Sequence, residues 1–376
     1  MTSPAASDLQ YWVAFSRIPR IGSARSALLE GHFGSLAAAW QANATELAAA
    51  GLDRSSVASV IAARSEISPD AEIERLARAG VKAYIQRDAA YPARLKEVDD
   101  RPAILYVRGE LRPADEWAVA IVGTRRATPY GRQAAEHFAT DLARQGITIV
   151  SGLARGIDAI AHRAALTAGG RTIAVLGSGV DIAYPPEHAK LAQEICEHGA
   201  LVSDYPLGTQ PRAEFFPRRN RILSAISLGV LVVEGDLDSG ALITARCAIE
   251  QNREVFAVPG SIYSPTYRGT NKLIRDSEAK LVCDTEDILE ELNLTMATQQ
   301  SELREVLPAD ETEATLLRVL SSQPIHIDEV QRVSGLPIAT VTGALAMLEL
   351  KGSVKQMGAM SFVRTREASL AYSTDR

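Results

Sequence analysis

The chain is poor in cysteine, has no long apolar run and carries no excess of positive charge. Its three cysteines, Cys196, Cys247 and Cys283, are odd in number and far apart. Such spacing makes neither a zinc site nor a disulfide framework and suits a reducing compartment. No stretch approaches the roughly eighteen apolar residues of a membrane span, and Met1 to Asp8 lack the basic start and apolar core of a secretion signal. A cytoplasmic location without a membrane partner is the expectation. The formal net charge is -6, from 40 Lys and Arg against 46 Asp and Glu, so any contact with nucleic acid has to come from focused patches rather than bulk charge. The phosphate loop G-x-x-x-x-G-K-S/T is missing. Gly177-Ser178-Gly179 lacks the third glycine and the downstream acidic residue of a dinucleotide dehydrogenase, and reads as a tight strand-to-helix turn.

One local exception to the charge balance is Phe215-Phe216-Pro217-Arg218-Arg219-Asn220-Arg221, directly before an apolar, helix-like run. Guanidinium groups stay charged at neutral pH and fit phosphate oxygens bidentately, and adjacent rings can stack on bases. Taken alone, the block fits a phosphate-bearing ligand and a capped helix start with core rings equally well.

The surroundings favour a ligand. Gly146 to Val150 is a β-rich run, Ser151-Gly152-Leu153-Ala154-Arg155-Gly156-Ile157-Asp158 a glycine loop, and Ala159 to Leu166 a helix. Ala118 to Val122 before Gly123-Thr124-Arg125-Arg126, Thr172 to Leu176 before Gly177, and Leu228 to Val233 before the loop to Ser239-Gly240 repeat that order. Repeated strand, glycine loop and helix units predict an α/β fold, a parallel sheet with its ligand loops on one rim. Ser239-Gly240 could hold a phosphate or make a tight turn, and Lys272 could line the same rim. Asp158 is read as a helix-start cap and His162 as a packing or capping residue rather than a catalytic pair. Glu234, Asp236 and Asp238 do not have calcium-loop spacing, so no metal is expected.

The 376 residues are expected to form an N-terminal helical domain over 1–90 (helix-hairpin-helix or SAM-like), an extended Rossmann-like domain over 91–292, a linker over 293–310 and a winged-helix-like domain over 311–376. In the first, Ile18-Pro19-Arg20-Ile21-Gly22-Ser23 could present a glycine turn to a DNA phosphate or simply pack helices. A connector with Tyr91-Pro92-Ala93-Arg94-Leu95 and the strand Ile104 to Val107 leads into the sheet. The last domain shows three helices and then short strands at Val354 to Met357 and Ser361 to Val363, but its third helix, Thr340 to Glu349, carries no Lys or Arg. That shifts it from DNA reading toward protein contacts or a structural role.

In order, Val122-Gly123-Thr124-Arg125, the Ser151 to Asp158 loop, Ala161-His162, Tyr184-Pro185, Phe216-Pro217-Arg218-Arg219-Asn220-Arg221-Ile222, Ser239-Gly240, Val258-Pro259-Gly260 and Asn271-Lys272-Leu273-Ile274 resemble the DNA-processing protein A family (DprA, also called Smf). The resemblance implies a non-enzymatic surface for single-stranded DNA, used as a homodimer, that protects incoming DNA and loads the recombinase RecA in transformation and homologous recombination. It implies no cofactor and no metal. The DNA contacts it carries over are Arg125, the Gly152 to Gly156 loop with Arg155, Phe216, Arg219, Asn220 and Arg221. Arg218, Ser239, Gly240 and Lys272 complete the candidate set. Asp204-Tyr205-Pro206 stands where the family usually has a glutamate, and Asp276-Ser277-Glu278-Ala279 replaces Asp-Gly-Ala. Both departures leave the DNA loops intact.

The alternative is a nucleoside-monophosphate-cleaving hydrolase of the lysine-decarboxylase-like group, which has a similar sheet. Its Pro-Gly-Gly-x-Gly-Thr-x-x-Glu loop is absent from Glu234 to Thr244, which removes the expected catalytic glutamate. A pure scaffold would leave Arg125 and Arg219 to Arg221 unexplained.

Overall fold

The computed structural model describes residues 8–292, 311–321, 324–350, 354–357 and 360–364; the expected linker lies outside them. The chain divides into two compact units, Met1–Ile288 and Leu289–Arg376.

The first unit is built on nine strands: β1 (Val81–Ile85), β2 (Ile104–Gly109), β3 (Ala118–Gly123), β4 (Thr148–Ser151), β5 (Thr172–Val175), β6 (Ala200–Ser203), β7 (Gly229–Glu234), β8 (Glu254–Ala257) and β9 (Lys280–Leu281). Their order is β1-β2-β6-β5-β4-β3-β7-β8-β9, parallel from β6 to β9, with β2 antiparallel to both β1 and β6. The central strands β3 and β7 are nearly continuous apolar runs, as strands covered on both faces must be.

Alternation along a strand shows the two faces directly. In β5, Ala174 packs in the cluster that includes Leu191 and Ile195, while Ile173 and Val175 pack in the cluster that includes Ile222, Leu223 and Ala245. The covering helices are α1 (Pro129–Arg144), α2 (Ile157–Thr167), α3 (Ala189–His198), α4 (Phe215–Ala225), α5 (Gly240–Glu250) and α6 (Arg268–Arg275). After β3 the chain builds β4, β5 and β6 to one side, then returns through α4 to place β7 on the other side of β3. This reversal opens a crevice at the carboxyl ends of β3 and β7, where open α/β sheets take ligands.

Six short helices from Leu9–Ser16 to Pro69–Arg78 precede the sheet. Their core residues Trp12, Phe15, Leu29, Trp40 and Leu47 belong to the same buried cluster as Ile85, Tyr106 and Leu201, so helices and sheet share one core. Gly22 precedes the helix Ser23–Phe33, and the nearby Arg25 is held by Asp53 at 2.6 Å and the Arg20 carbonyl at 2.6 Å. The strand β1 falls inside the segment expected to be helical; its five residues alternate in burial as a strand with one covered face does.

In the second unit, α7 (Glu311–Val319), α8 (Ile327–Ser334) and α9 (Ile338–Leu350) enclose a core with Leu316, Val330, Val341, Leu345 and Phe362. A three-stranded sheet completes it: β10 (Ile325–His326), β12 (Ser361–Arg364) and β11 (Val354–Gln356), in that order. Three helices and a hairpin form a winged helix; the run Ile325 to Val333, whose sequence reads as the second helix, opens with the short strand β10 before α8 begins at Ile327. Among the described residues, no helix is long and apolar enough to cross a membrane.

Candidate nucleic-acid interface

The arginine block is not a loop ahead of a helix but the first two turns of α4, with Pro217 in the opening turn where a missing N–H is tolerated. Helical spacing therefore sorts its side chains. Phe216, Arg219, Asn220 and Leu223, at i, i+3, i+4 and i+7, line the crevice, whose volume is about 710 Å³. Arg218 and Arg221 lie off that face.

Arg219 is only 4% exposed, and its Nη1 donates to the carbonyl of Val175 at the end of β5. Its space is made by Gly152, where a Cβ would stand 2.3 Å from that nitrogen. Next to it, the buried carboxylate of Asp158 accepts the backbone N–H groups of Gly152 (3.1 Å) and Ala154 (3.4 Å). Asp158 caps its loop, and two amides that a phosphate could have used are already occupied. Burial pushes Asp158 up against the pull of Arg219, and pushes Arg219 down to about 10, which leaves the guanidinium charged at neutral pH. His162 bonds Thr172 Oγ1 at 2.7 Å, and burial holds it at about 3, a neutral packing residue.

Gly156 has φ +78, and a Cβ there would lie 2.2 Å from the Thr124 carbonyl, which also accepts the Ile157 N–H at 3.2 Å. A glycine is thus required for the loops after β3 and β4 to touch. Above this junction, exposed Arg125 lies over the ring of Phe216 at 5.6 Å, and Phe216 in turn meets Tyr184 at 5.6 Å. A second group stacks alongside: Tyr205 on Phe215 at 4.4 Å, with Arg212 over Phe215 at 5.7 Å. Gly177 lets Phe216 approach closely, and Gly179 makes a turn with no room for a side chain.

On the β7 side, Asn220 Nδ2 donates to the Gly240 carbonyl (3.3 Å) and Ser239 Oγ accepts the Ala241 N–H (3.3 Å), so both shape the start of α5. Gly240 faces open space. Glu234, fully buried at the end of β7, holds the Arg125 loop at both ends: its carbonyl accepts the Thr124 N–H (2.7 Å), and its Oε2 accepts the Thr128 N–H (3.0 Å) and hydroxyl (3.2 Å). Gly131 leaves room for that carboxylate. Among the described residues there is no cluster able to hold a metal.

The structure thus gathers Arg125, Phe216, Arg219, Asn220, Ser239 and Gly240 about one crevice, with Gly152 in an adjoining cleft and Gly156 at the junction of the loops beneath. Arg155 borders an adjoining cleft and pairs with Glu187 at 2.5 Å. Arg218 is exposed outside the crevice lining. Two candidates are turned elsewhere: Arg221 pairs with Asp204 (2.6 Å) and Asp100 (3.6 Å), and Lys272 with Asp276 (2.6 Å). Three rim residues were missed, Arg126, Tyr184 and Arg212, together with the buried anchor Glu234 beneath the Arg125 loop. Adjacency to Arg125 and the position of Arg212 three residues before Phe215 were the available signals.

The chain thus joins a mostly parallel α/β unit, with an arginine- and ring-lined crevice at its switch point, to a winged helix. The family described as DNA recombination-mediator protein A matches residues 82–293, and the DprA winged helix domain matches residues 301–360. Protein Smf of Escherichia coli K12 is 43% identical over 291 residues, 74% of this chain and 76% of the relative. The solved structure of DNA processing protein A from Streptococcus pneumoniae aligns with a TM-score of 0.65 at 32% identity, covering 75% of this chain and 97% of that one. A structure of the same protein from Helicobacter pylori, described for its unique single-stranded DNA binding mode, aligns with a TM-score of 0.51 at 32% identity, covering 57% of this chain and 97% of that one. The chain belongs to the DNA-processing protein A (DprA/Smf) family.

Proposed function

We propose that this protein binds single-stranded DNA along the crevice rim and loads RecA onto it, as a cytoplasmic homodimer without catalysis. The observation that carries the reading is the stack of Arg125 on Phe216 and Tyr184, set on loops whose shape is fixed by buried partners. Arg125, Arg126 and Arg212 neutralise phosphates, with Arg155 and Arg218 beside them. Phe216 and Tyr184 offer ring faces to bases, which tolerates any sequence. The open start of α5 at Ser239 and Gly240 offers backbone N–H groups to a further phosphate. Arg219 and Asn220 act beneath the surface, holding the loops that carry the contacts. Arg221 and Lys272 take part only if their ion pairs open. The Helicobacter pylori relative, described as a single-stranded DNA binder, supports the substrate class. The hydrolase alternative would need a free base in the crevice: Asp158 is held by two amides and Asp236 by Arg268, which leaves Asp238 on the lining as the carboxylate whose Asp238→Asn variant tests that reading.

The test is binding of labelled oligo-dT and its duplex counterpart across a salt series, with Arg125→Ala/Phe216→Ala as control. Salt-sensitive preference for the single strand, lost in the variant, is expected; equal binding of both DNAs, or a variant indistinguishable from wild type, overturns the reading. RecA assembly on the bound strand and sedimentation of the free protein then test loading and dimerisation.

A further inference from the structure

Away from the crevice, α4 covers only part of the sheet face over β5 and β6. The connector with the short helix Ala93–Lys96 and the turn Pro113–Glu116 cover the rest. Beneath them lies a separate cavity of about 310 Å³, with Ile173, Val202 and Ile226 among its apolar lining and Tyr91 in its wall. The Tyr91 hydroxyl is turned away, donating to the Pro102 carbonyl at 2.7 Å. Protein interiors are packed to near-crystalline density, and dry apolar hollows bind apolar molecules.

The mouth of this cavity is cationic. Arg94 donates to the Glu116 carbonyl at 3.4 Å and Lys96 to the Asp88 carbonyl at 3.1 Å, both main-chain partners, and neither makes an ion pair within 4.0 Å among the described residues. Arg112 is held by Glu110 at 2.7 Å. Of the acidic residues lining the site, Asp115 is committed to Arg171, whose Nε and Nη2 reach it at 2.8 Å each, which leaves Glu116, with Glu97 beside Arg94 outside the lining, as the opposing charges. An apolar floor below two unpaired cations selects a molecule with the same two parts.

We propose that this cavity binds a small amphiphilic anion, an apolar body with one carboxylate or sulfonate head, seated on Ile173, Val202 and Ile226 with its head between Arg94 and Lys96. The volume is near the lower end of the about 300–1,000 Å³ typical of ligand pockets, which suits a medium chain or one aromatic system.

The full chain is titrated with 8-anilinonaphthalene-1-sulfonate, then with octanoate, octylamine or acetate as competitors, while the Ile173 and Ile226 methyl signals are followed by NMR. Octanoate displaces the probe and moves both methyl signals, whereas octylamine and acetate do neither at the same concentration. Ala90→Trp at the mouth abolishes probe binding, and Lys96→Glu weakens octanoate at least fivefold, with oligo-dT binding retained in both as the folding control. Equal displacement by octanoate and octylamine, probe binding without movement of the two methyl signals, or wild-type binding by folded Ala90→Trp each overturns the proposal.

Discussion

Gly152 and Arg219 are complementary in space: the side chain absent from one is the room occupied by the other, with a hypothetical Cβ 2.3 Å from Nη1. Gly152→Ala forces the guanidinium off the Val175 carbonyl and is expected to destabilise by about 1–3 kcal/mol, the range of overpacked cores. Arg219→Ala leaves Asp158 buried without its counter-charge, which costs about 3–5 kcal/mol. Urea denaturation measures both. Arg219→Lys is not expected to rescue, because an ammonium cannot reproduce the fork.

Arg125 and Arg221 separate binding from stability. Arg125→Ala removes an exposed cation, so unfolding changes by less than about 0.5 kcal/mol, while the log–log salt slope of oligo-dT binding becomes shallower by about 0.7. Arg221→Ala strands the half-buried carboxylate of Asp204 and lowers the unfolding midpoint, with the salt slope unchanged. Fluorescence anisotropy and thermal melts on the two variants check the contrast.

Glu234 tests whether the arginine loop must be anchored from below. Glu234→Ala deprives the Thr128 N–H and hydroxyl of their acceptor, and oligo-dT affinity is expected to fall several-fold although the residue is fully buried. Glu234→Gln retains an acceptor oxygen and recovers part of the loss. Amide hydrogen exchange across residues 124–128 should accelerate in the alanine variant and less in the glutamine variant.

His162 supplies a pH dependence. An unfolded imidazole titrates near 6.5, whereas burial holds His162 at about 3. Between those values the unfolded chain takes up a proton that the folded chain refuses. Stability is therefore lost as pH falls from about 6.5 toward 3, by up to about 1.4 kcal/mol per pH unit from this group. His162→Asn should flatten that part of the curve of unfolding free energy against pH.

Much of this molecule was legible from short-range pattern. The runs ending at Gly123, Gly152, Gly177 and Glu234 announced a parallel sheet with ligand loops because strand, glycine and helix signals lie within a few residues of each other. The three helices and the two strands β11 and β12 of the second unit were readable for the same reason, whereas β10 was not. The strands β1, β6 and β9 went unread, since such short segments become strands only by pairing with distant neighbours.

The roles within the arginine block were decided only by the tertiary structure. Residue types in Phe216-Pro217-Arg218-Arg219-Asn220-Arg221 determined that cations and a ring would cluster. They could not say that Arg219 would be buried under Gly152, or that Arg221 would turn to Asp204. Successive residues of a helix point about 100° apart, so neighbours in sequence face different surroundings. Those surroundings, the end of β5, the loop after β4 and the acid at the end of β6, come from strands far away in the chain.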